Sequence, residues 1–259
     1  MKILLPLLLA TLGAVPASAD DRLILAEDDA SAASYRSGWK GEGGGTGFRG
    51  WSLRLRQPEG GASHAGFYIG GGERAGEPSP VALRGKTFSL YANGAGFEVA
   101  AAFRALKKPL RVGQTFSFLV GHTAIERKAD RDDAASGAIG LTLRSGHPAE
   151  GVEDYKREAR FEFGAYEGQA TYRIYDGEAE HDTGLPLTDR GLSVSFTLLT
   201  PDTYELEITT LGERKTTTLK PRKLGGTSGA PIESFCIFNR DGEKSDAHFN
   251  GFQIAGPDR

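Results

Sequence analysis

The sequence predicts an all-β protein folded as a two-sheet antiparallel β-sandwich. Three observations predict it. Apolar and polar residues alternate with period two along many short segments, turn-forming residues separate those segments, and glycine is frequent at 36 of 259 residues.

The strongest rows come first. Trp51, Leu53 and Leu55 alternate with Ser52, Arg54 and Arg56, and Phe161 and Phe163 alternate with Arg160 and Glu162. Phe116, Phe118 and Val120 form another row, as do Ile139, Leu141 and Leu143. Leu192, Val194, Phe196 and Leu198 make the longest, and Tyr204, Leu206 and Ile208 close the set. Each row puts one face in a core and the other in water. Antiparallel sheets show this pattern, whereas parallel sheets covered on both faces read as continuous apolar runs. Further strands are expected over 23–26, 65–69, 87–92, 97–103, 172–175, 216–219, 232–238 and 247–254. Asn93-Gly94 predicts a hairpin, and Asp176-Gly177 and Asp241-Gly242 predict turns. A short helix is expected over 27–35, where Asp28 and Asp29 suit a helix start. Residues 152–158 read as a helical turn or charged loop, and 220–231 as a long loop. No repeat of fixed period and no Pro- or Ser-rich linker divides the chain, so one domain over 20–259 is expected.

Residues 1–19 read as a cleaved export signal. Lys2 precedes the apolar run 3–12, and Ala17-Ser18-Ala19 supplies a small-residue cleavage site. The run is too short to span a bilayer, and no later stretch is long and apolar enough to do so. The expected location is periplasmic or secreted, with no membrane insertion after signal cleavage. The formal net charge of −3 argues against a nucleic-acid partner, which needs a basic surface. Cys236 is the only cysteine, so no intrachain disulfide forms; among Phe235, Ile237 and Phe238 it reads as a buried core residue.

Two short pieces carry a resemblance. One is Tyr35…Gly38-Trp39, followed by Gly44-Gly45-Thr46-Gly47-Phe48 and by Trp51 opening a strand. The other is Phe238-Asn239-Arg240-Asp241-Gly242 leading to Asp246-Ala247-His248-Phe249-Asn250-Gly251-Phe252-Gln253-Ile254. Together they resemble exported bacterial proteins with a concanavalin A-like or laminin G-like jelly roll. The resemblance implies that fold. It does not choose among the lectins, carbohydrate-binding modules, glycosidases, lyases and adhesion domains the fold hosts.

The candidate constellations favour binding over catalysis without excluding an enzyme. Glu205 and Glu207 project about 7 Å apart from one strand face, a separation of the kind glycosidic hydrolysis uses. The Glu-x-Asp-x-x-Glu pattern of jelly-roll glycosidases is missing there, so a solvated strand face is expected. His64, His122, His147, His181 and His248 show no metal-ligand spacing, and His181-Asp182 reads as a surface loop. Gly41–47 and Gly70-Gly71-Gly72 lack the Gly-Lys-Ser/Thr ending of a phosphate loop and read as tight connections. Of the acidic clusters 27–29, 130–133 and 241–246, the last is the best calcium candidate, with Asp241 and Asp246 as oxygen ligands. Sugar rings stack on exposed aromatic faces, and Trp39, Tyr68, Tyr91, Tyr166 and Tyr175 are the candidates; Trp39, in a Gly-rich stretch, is read as exposed and Trp51 as core.

The expected function is therefore non-catalytic recognition of a polysaccharide or glycan. Asn239, Arg240, Asp241, His248 and Asn250 of the closing segment, together with Trp39, are the expected contacts. A glycoside hydrolase or polysaccharide lyase on the same scaffold is the rival. A structural or protein-binding envelope domain is the third reading.

Overall fold

The computed structural model describes residues 23–58, 64–71, 79–94, 96–122, 137–147, 151–241 and 245–257. The export signal over 1–19, the acidic run 130–133, Gly72 and Gly242 lie outside the described residues.

Strands β1 (Ile24–Asp28), β2 (Phe48–Arg56), β3 (Ala65–Gly70), β4 (Thr87–Ala92) and β5 (Val99–Leu110) come first. β6 (Thr115–His122), β7 (Ala138–Arg144), β8 (Ala159–Tyr166), β9 (Thr171–Asp176) and β10 (Ala179–Pro186) follow. β11 (Leu192–Thr200), β12 (Thr203–Thr210), β13 (Lys215–Lys223), β14 (Ile232–Arg240) and β15 (Ala247–Ala255) come last. They form two sheets in which every pairing is antiparallel. The first runs β13-β12-β11-β6-β15-β4-β3, with β1 also on β15; the second runs β10-β9-β8-β7-β14-β5-β2. The expected two-sheet antiparallel sandwich of jelly-roll type is thus observed.

The alternation explains the layers. Phe116, Phe118, Phe196, Phe249 and Phe252 of the first sheet face Trp51, Phe161, Phe163, Phe235 and Ile237 of the second in one continuous core. Burial of such side chains contributes roughly 1.5–3 kcal/mol each. The second sheet also buries part of its outward face. Phe103, Ala138, Cys236 and Phe238 project there and are covered by Tyr155 from a 3-10 turn over Val152–Tyr155. Cys236 is fully buried, as its neighbours predict.

Several local expectations change. Asn93-Gly94 joins β4 of the first sheet to β5 of the second, so it is a crossing and not a hairpin. A turn signal reports a reversal of direction and does not say which sheet receives the next strand. Asp176-Gly177 does close a hairpin, because Asp176 pairs with Ala179 across β9 and β10. His181-Asp182, which the sequence reads as a surface loop, lies in β10. This is an edge strand whose polar residues show no apolar row, held by ion pairs from Arg173 to Glu180 (2.7 Å) and Asp182 (2.6 Å). The helix expected over 27–35 shrinks to a 3-10 turn, Ala33–Tyr35, because Asp28 is drawn into β1 opposite Phe252. β13 extends to Lys223, into the segment expected to be a loop.

The Gly-rich run is an edge connection packed on β1. Glu27 and Thr46 exchange backbone hydrogen bonds of 3.0 and 2.8 Å. Gly45 takes φ +62°, and a Cβ there would lie 1.8 Å from the Glu27 carbonyl oxygen, so only glycine fits. Beside it, Asp28 of β1 and Arg104 of β5 form an ion pair across the sandwich with both side chains fully buried. Tyr35 Oη donates to the same carboxylate (2.5 Å), Arg104 Nη2 donates to the Gly44 carbonyl (2.8 Å), and the guanidinium lies 4.8 Å from the Trp51 ring. These contacts bring Tyr35, Gly44 and Trp51 of the opening motif together around one ion pair.

Candidate functional site

The described residues offer one cavity that combines an exposed aromatic ring, cations and a buried carboxyl. It lies on the outward face of the second sheet and has a volume of about 510 Å³. β8 builds its floor. Phe161, Phe163 and Ala165 turn into the core, so Glu162 and Tyr166 turn outward. β9 lies alongside in register, placing Tyr175 opposite Glu162. Arg240 enters from the end of β14, and Lys156 from the segment following the 3-10 turn.

Glu162 is the chemical centre of this cavity. Its Oε1 accepts a 2.5 Å hydrogen bond from Tyr166 Oη, and its Oε2 accepts one of 3.2 Å from Thr142 Oγ1. Burial pushes the carboxyl pKa above the ordinary glutamate value, opposed by the Tyr166 hydrogen bond, then by the charges of Lys156 and Arg240. The Tyr166 hydroxyl is pushed well above its usual value by burial, then by the neighbouring Glu162 charge. Tyr175 moves the same way, again chiefly through burial. The two rings meet edge to face at 5.1 Å, and Tyr175 keeps 36% of its surface exposed.

Tyr155 organises the cationic side. It stacks on Phe238 at 4.5 Å, accepts a 3.0 Å hydrogen bond from Arg240 Nη1, and lies with its ring 5.7 Å from Lys156 Nζ. The other charges around the cavity are engaged. Arg160 pairs with Asp202 at 2.8 Å. Asp176 accepts from Arg222 at 2.6 and 3.1 Å and from Tyr204 Oη at 2.6 Å. Glu167 accepts from the Gly137 amide at 2.8 Å.

The cavity brings an aromatic ring, hydrogen-bonding groups and cations to one concave surface. Glycosidic hydrolysis needs two carboxyl groups facing the scissile bond. Here Glu162 is turned to Tyr166 and Thr142, and Asp176 to Arg222 and Tyr204. Tyrosines with raised pKa values are poor general bases near neutrality. Glu205 and Glu207 stand on the polar side of β12, opposite Thr197 and Ser195 of β11, as the solvated-face reading expects.

The structure separates the residues expected to act together. Arg240 lines the cavity. Asn239 points between the sheets and donates from Nδ2 to the carbonyls of Leu90 (3.1 Å) and Ser245 (2.8 Å). Asn250 is a second internal tie, donating to the carbonyls of Val81 (3.2 Å) and Lys86 (2.6 Å) and accepting from the Ala30 amide (2.9 Å). Both asparagines are fully buried, which gives them structural work away from any ligand. Trp39 is not exposed: it keeps 4% of its surface and packs against Trp51 (5.1 Å), Phe67 (5.4 Å) and Phe88 (5.1 Å). The glycines around it let the chain fold the indole inward. His248 lies on the outward face of the first sheet, with Nδ1 2.9 Å from Ser89 Oγ.

Asp241 and Asp246 serve different neighbours. Asp241 adopts φ +52°, with its amide donating to the Glu98 carbonyl at 2.9 Å. Asp246 accepts from Tyr68 Oη (2.7 Å) and Asn93 Nδ2 (3.1 Å). Among the described residues no three His, Cys, Asp or Glu side chains gather as a metal site. Calcium needs six to eight oxygen ligands. Each Asp246 oxygen already accepts one hydrogen bond from a protein donor.

The sequence reading missed Glu162, Lys156 and Gln169 as cavity residues. Glu162 was visible only as the wet side of a strand. Tyr166 and Tyr175 are among the aromatic candidates of the sequence, and they are the pair the structure brings together.

No family model matches the chain, and no curated protein matches it. Among solved structures, the chain is similar to a carbohydrate esterase from the Shiga toxin-encoding bacteriophage phi24B. Identity is 11%, over 91% of this chain and 99% of that one, with a TM-score of 0.48. Peanut lectin is 11% identical over 80% of this chain and 97% of its own, with a TM-score of 0.44. The legume lectin-like domain of Entamoeba histolytica is 10% identical over 78% and 88%, with a TM-score of 0.43. At these values the likeness concerns general architecture and says nothing about ligand or chemistry.

Proposed function

We propose that the protein is an exported, non-catalytic carbohydrate-binding protein, and that the cavity around Glu162 holds the sugar. One observation carries this reading: Tyr175 stands exposed beside hydrogen-bonding and charged groups in a single concave site. The C–H face of a pyranose ring is apolar and packs on a tyrosine ring, while its hydroxyls need donors and acceptors held at fixed positions. Tyr175 supplies the first requirement. Arg240, Lys156, Gln169 and the Glu162–Tyr166 pair supply the second.

The test is a glycan array followed by calorimetry on the signal-cleaved chain, with a reducing-sugar release assay and an assay for unsaturated products. Binding without turnover is expected, and Tyr175→Ala weakens it about tenfold, the scale of a lost aromatic contact. Turnover of any bound glycan replaces this reading with the hydrolase or lyase. Absence of binding to every glycan leaves the structural-domain reading.

A further inference from the structure

We propose that one end of the sandwich is a docking surface for an anionic lipid bilayer, to which the protein adsorbs without crossing it. Leu23, Ile24 and Val112 are the most exposed large apolar side chains among the described residues, at 56%, 50% and 49%. Backbone ties gather them at one end together with Leu199, which is 37% exposed. The Gly256 amide donates to the Leu23 carbonyl (3.0 Å), and Gln114 Nε2 donates to the Pro257 carbonyl (2.9 Å). The Gly113 amide donates to the Leu198 carbonyl (2.8 Å). The start of β1, the β5–β6 turn, the β11–β12 turn and the segment after β15 therefore meet there.

The charge at this end runs against that of the whole chain. Residues 23–26, 107–114, 198–201 and 254–257 hold Lys107, Lys108 and Arg111 and no Asp or Glu, in a chain of formal net charge −3. The flanking 20–22 and 258–259 add three aspartates and two arginines, which leaves the end positive. Among the described residues no carboxylate pairs with the Lys107 ammonium or the Arg111 guanidinium. Asp202, in the β11–β12 turn, is taken up by Arg160 (2.8 Å), Ser228 Oγ (2.6 Å) and the Gly229 amide (2.7 Å). Between β1 and the end of β5, a cavity of about 360 Å³ is lined by Ile24, Lys107, Arg111 and Gln114 among others, so apolar and cationic groups border one concavity.

An anionic bilayer matches both features. Apolar side chains at turn tips and strand ends project from the fold, and the boundary between headgroups and acyl chains receives them. Lys and Arg lay their apolar stems along that boundary and leave their charges at the level of the lipid phosphates. A standard protein interface buries about 800 Å² on each partner, more than four partly exposed side chains supply. On the export reading, the signal over 1–19 ends within about 14 Å of extended chain from Leu23, so the precursor carries this same end closest to the membrane it crosses.

The experiment is sedimentation of the full signal-cleaved chain with vesicles of phosphatidylcholine, with and without equimolar phosphatidylglycerol. Adsorption to the anionic vesicles and not to the neutral ones is expected, and it should weaken as salt rises. Lys107→Gln and Arg111→Gln should each weaken it about fivefold, the worth of one cation near such a surface. Lys215→Gln makes the same charge change at the β12–β13 turn, at the far end of β12 from Leu199, and should leave adsorption unchanged. Trp39 and Trp51 are buried, so Val112→Trp adds an exposed indole at the docking end. Its emission should move to shorter wavelength on the anionic vesicles as the ring leaves water. All four positions are exposed, and thermal melts confirm that the variants keep the fold. No adsorption, equal adsorption to both kinds of vesicle, a Lys215→Gln effect as large as that of Lys107→Gln, or an unshifted indole overturns the proposal. The glycan reading rests on other residues and stands or falls separately.

Discussion

Asp176 at the end of β9 and Arg222 in β13 join the two sheets through hydrogen bonds of 2.6 and 3.1 Å. The Asp176 side chain is fully buried and that of Arg222 is 13% exposed. Burial alone would raise the carboxyl pKa. The bonds from Arg222, Tyr204 and the Glu178 amide outweigh it and hold the pKa below the ordinary aspartate value.

The sign of the consequence is fixed by linkage. A carboxyl with a depressed folded pKa contributes stability above its unfolded value, near ~3.9, and loses it as pH falls through the folded value. Asp176→Asn is expected to cost about 1.5–3 kcal/mol at neutral pH, the scale of a hydrogen bond to a charged group. The gap between variant and wild type should shrink as pH falls below the unfolded value and through the lowered folded one. Urea melts at several pH values measure this, and a gap that stays constant into acid would refute the linkage.

A second cross-sheet tie is uncharged. Asn239 leaves β14 and reaches the Leu90 carbonyl of β4, linking the segment before the last crossing to the opposite sheet. Asn239→Ala leaves two buried carbonyls short of a donor and should cost about 2–3 kcal/mol. The loss should be independent of pH between 5 and 8, which separates it from the effect at Asp176. Thermal melts at both ends of that range check it.

His248 gives a pH dependence of its own. Burial lowers its pKa, opposed by Asp246, with His122 lowering it further. A histidine held neutral in the fold contributes stability above its unfolded pKa, near ~6.5, and loses it as the unfolded chain takes up a proton below that value. Stability should fall between pH 7.5 and 5.5 by at most about 1.4 kcal/mol per pH unit from this group. His248→Gln should flatten that part of the profile. A profile unchanged by the substitution would exclude His248 as its source.

These cases show how much of the molecule the chain makes legible. Period-two alternation identifies which residues share a face, so the rows through Phe116, Phe161 and Leu192 locate strands and core. It does not say what lies over the other face. Glu162 and Cys236 alternate with core residues and would be wet in a bare sheet; Tyr155, brought by a turn with weak sequence signals, makes that face a second apolar layer. Composition misleads in the other direction at Trp39. A run of glycines reads as exposed loop, yet positive φ at Gly38 and Gly41 lets the chain fold the indole into the aromatic core. The polar edge strand β10 had no apolar row to reveal it. The cavity was legible only in parts, as Tyr166, Tyr175 and Arg240, because their meeting depends on strand order.

The hydrogen bond between Tyr166 and Glu162 offers a probe of the cavity that needs no ligand. A carboxyl whose folded pKa is raised favours the fold below its unfolded value, near ~4.3, and that contribution is lost as pH climbs toward the folded value. Tyr166→Phe removes the strongest group opposing the rise, so the Glu162 pKa should move further up and the loss should extend to higher pH. Glu162→Gln should abolish this part of the pH profile in either background. Carbon-13 NMR titration of labelled glutamates follows the shift directly. A Glu162 signal that titrates at the same pH with and without the Tyr166 hydroxyl would show that burial alone sets its proton affinity, and that the phenol serves only to pack against Tyr175.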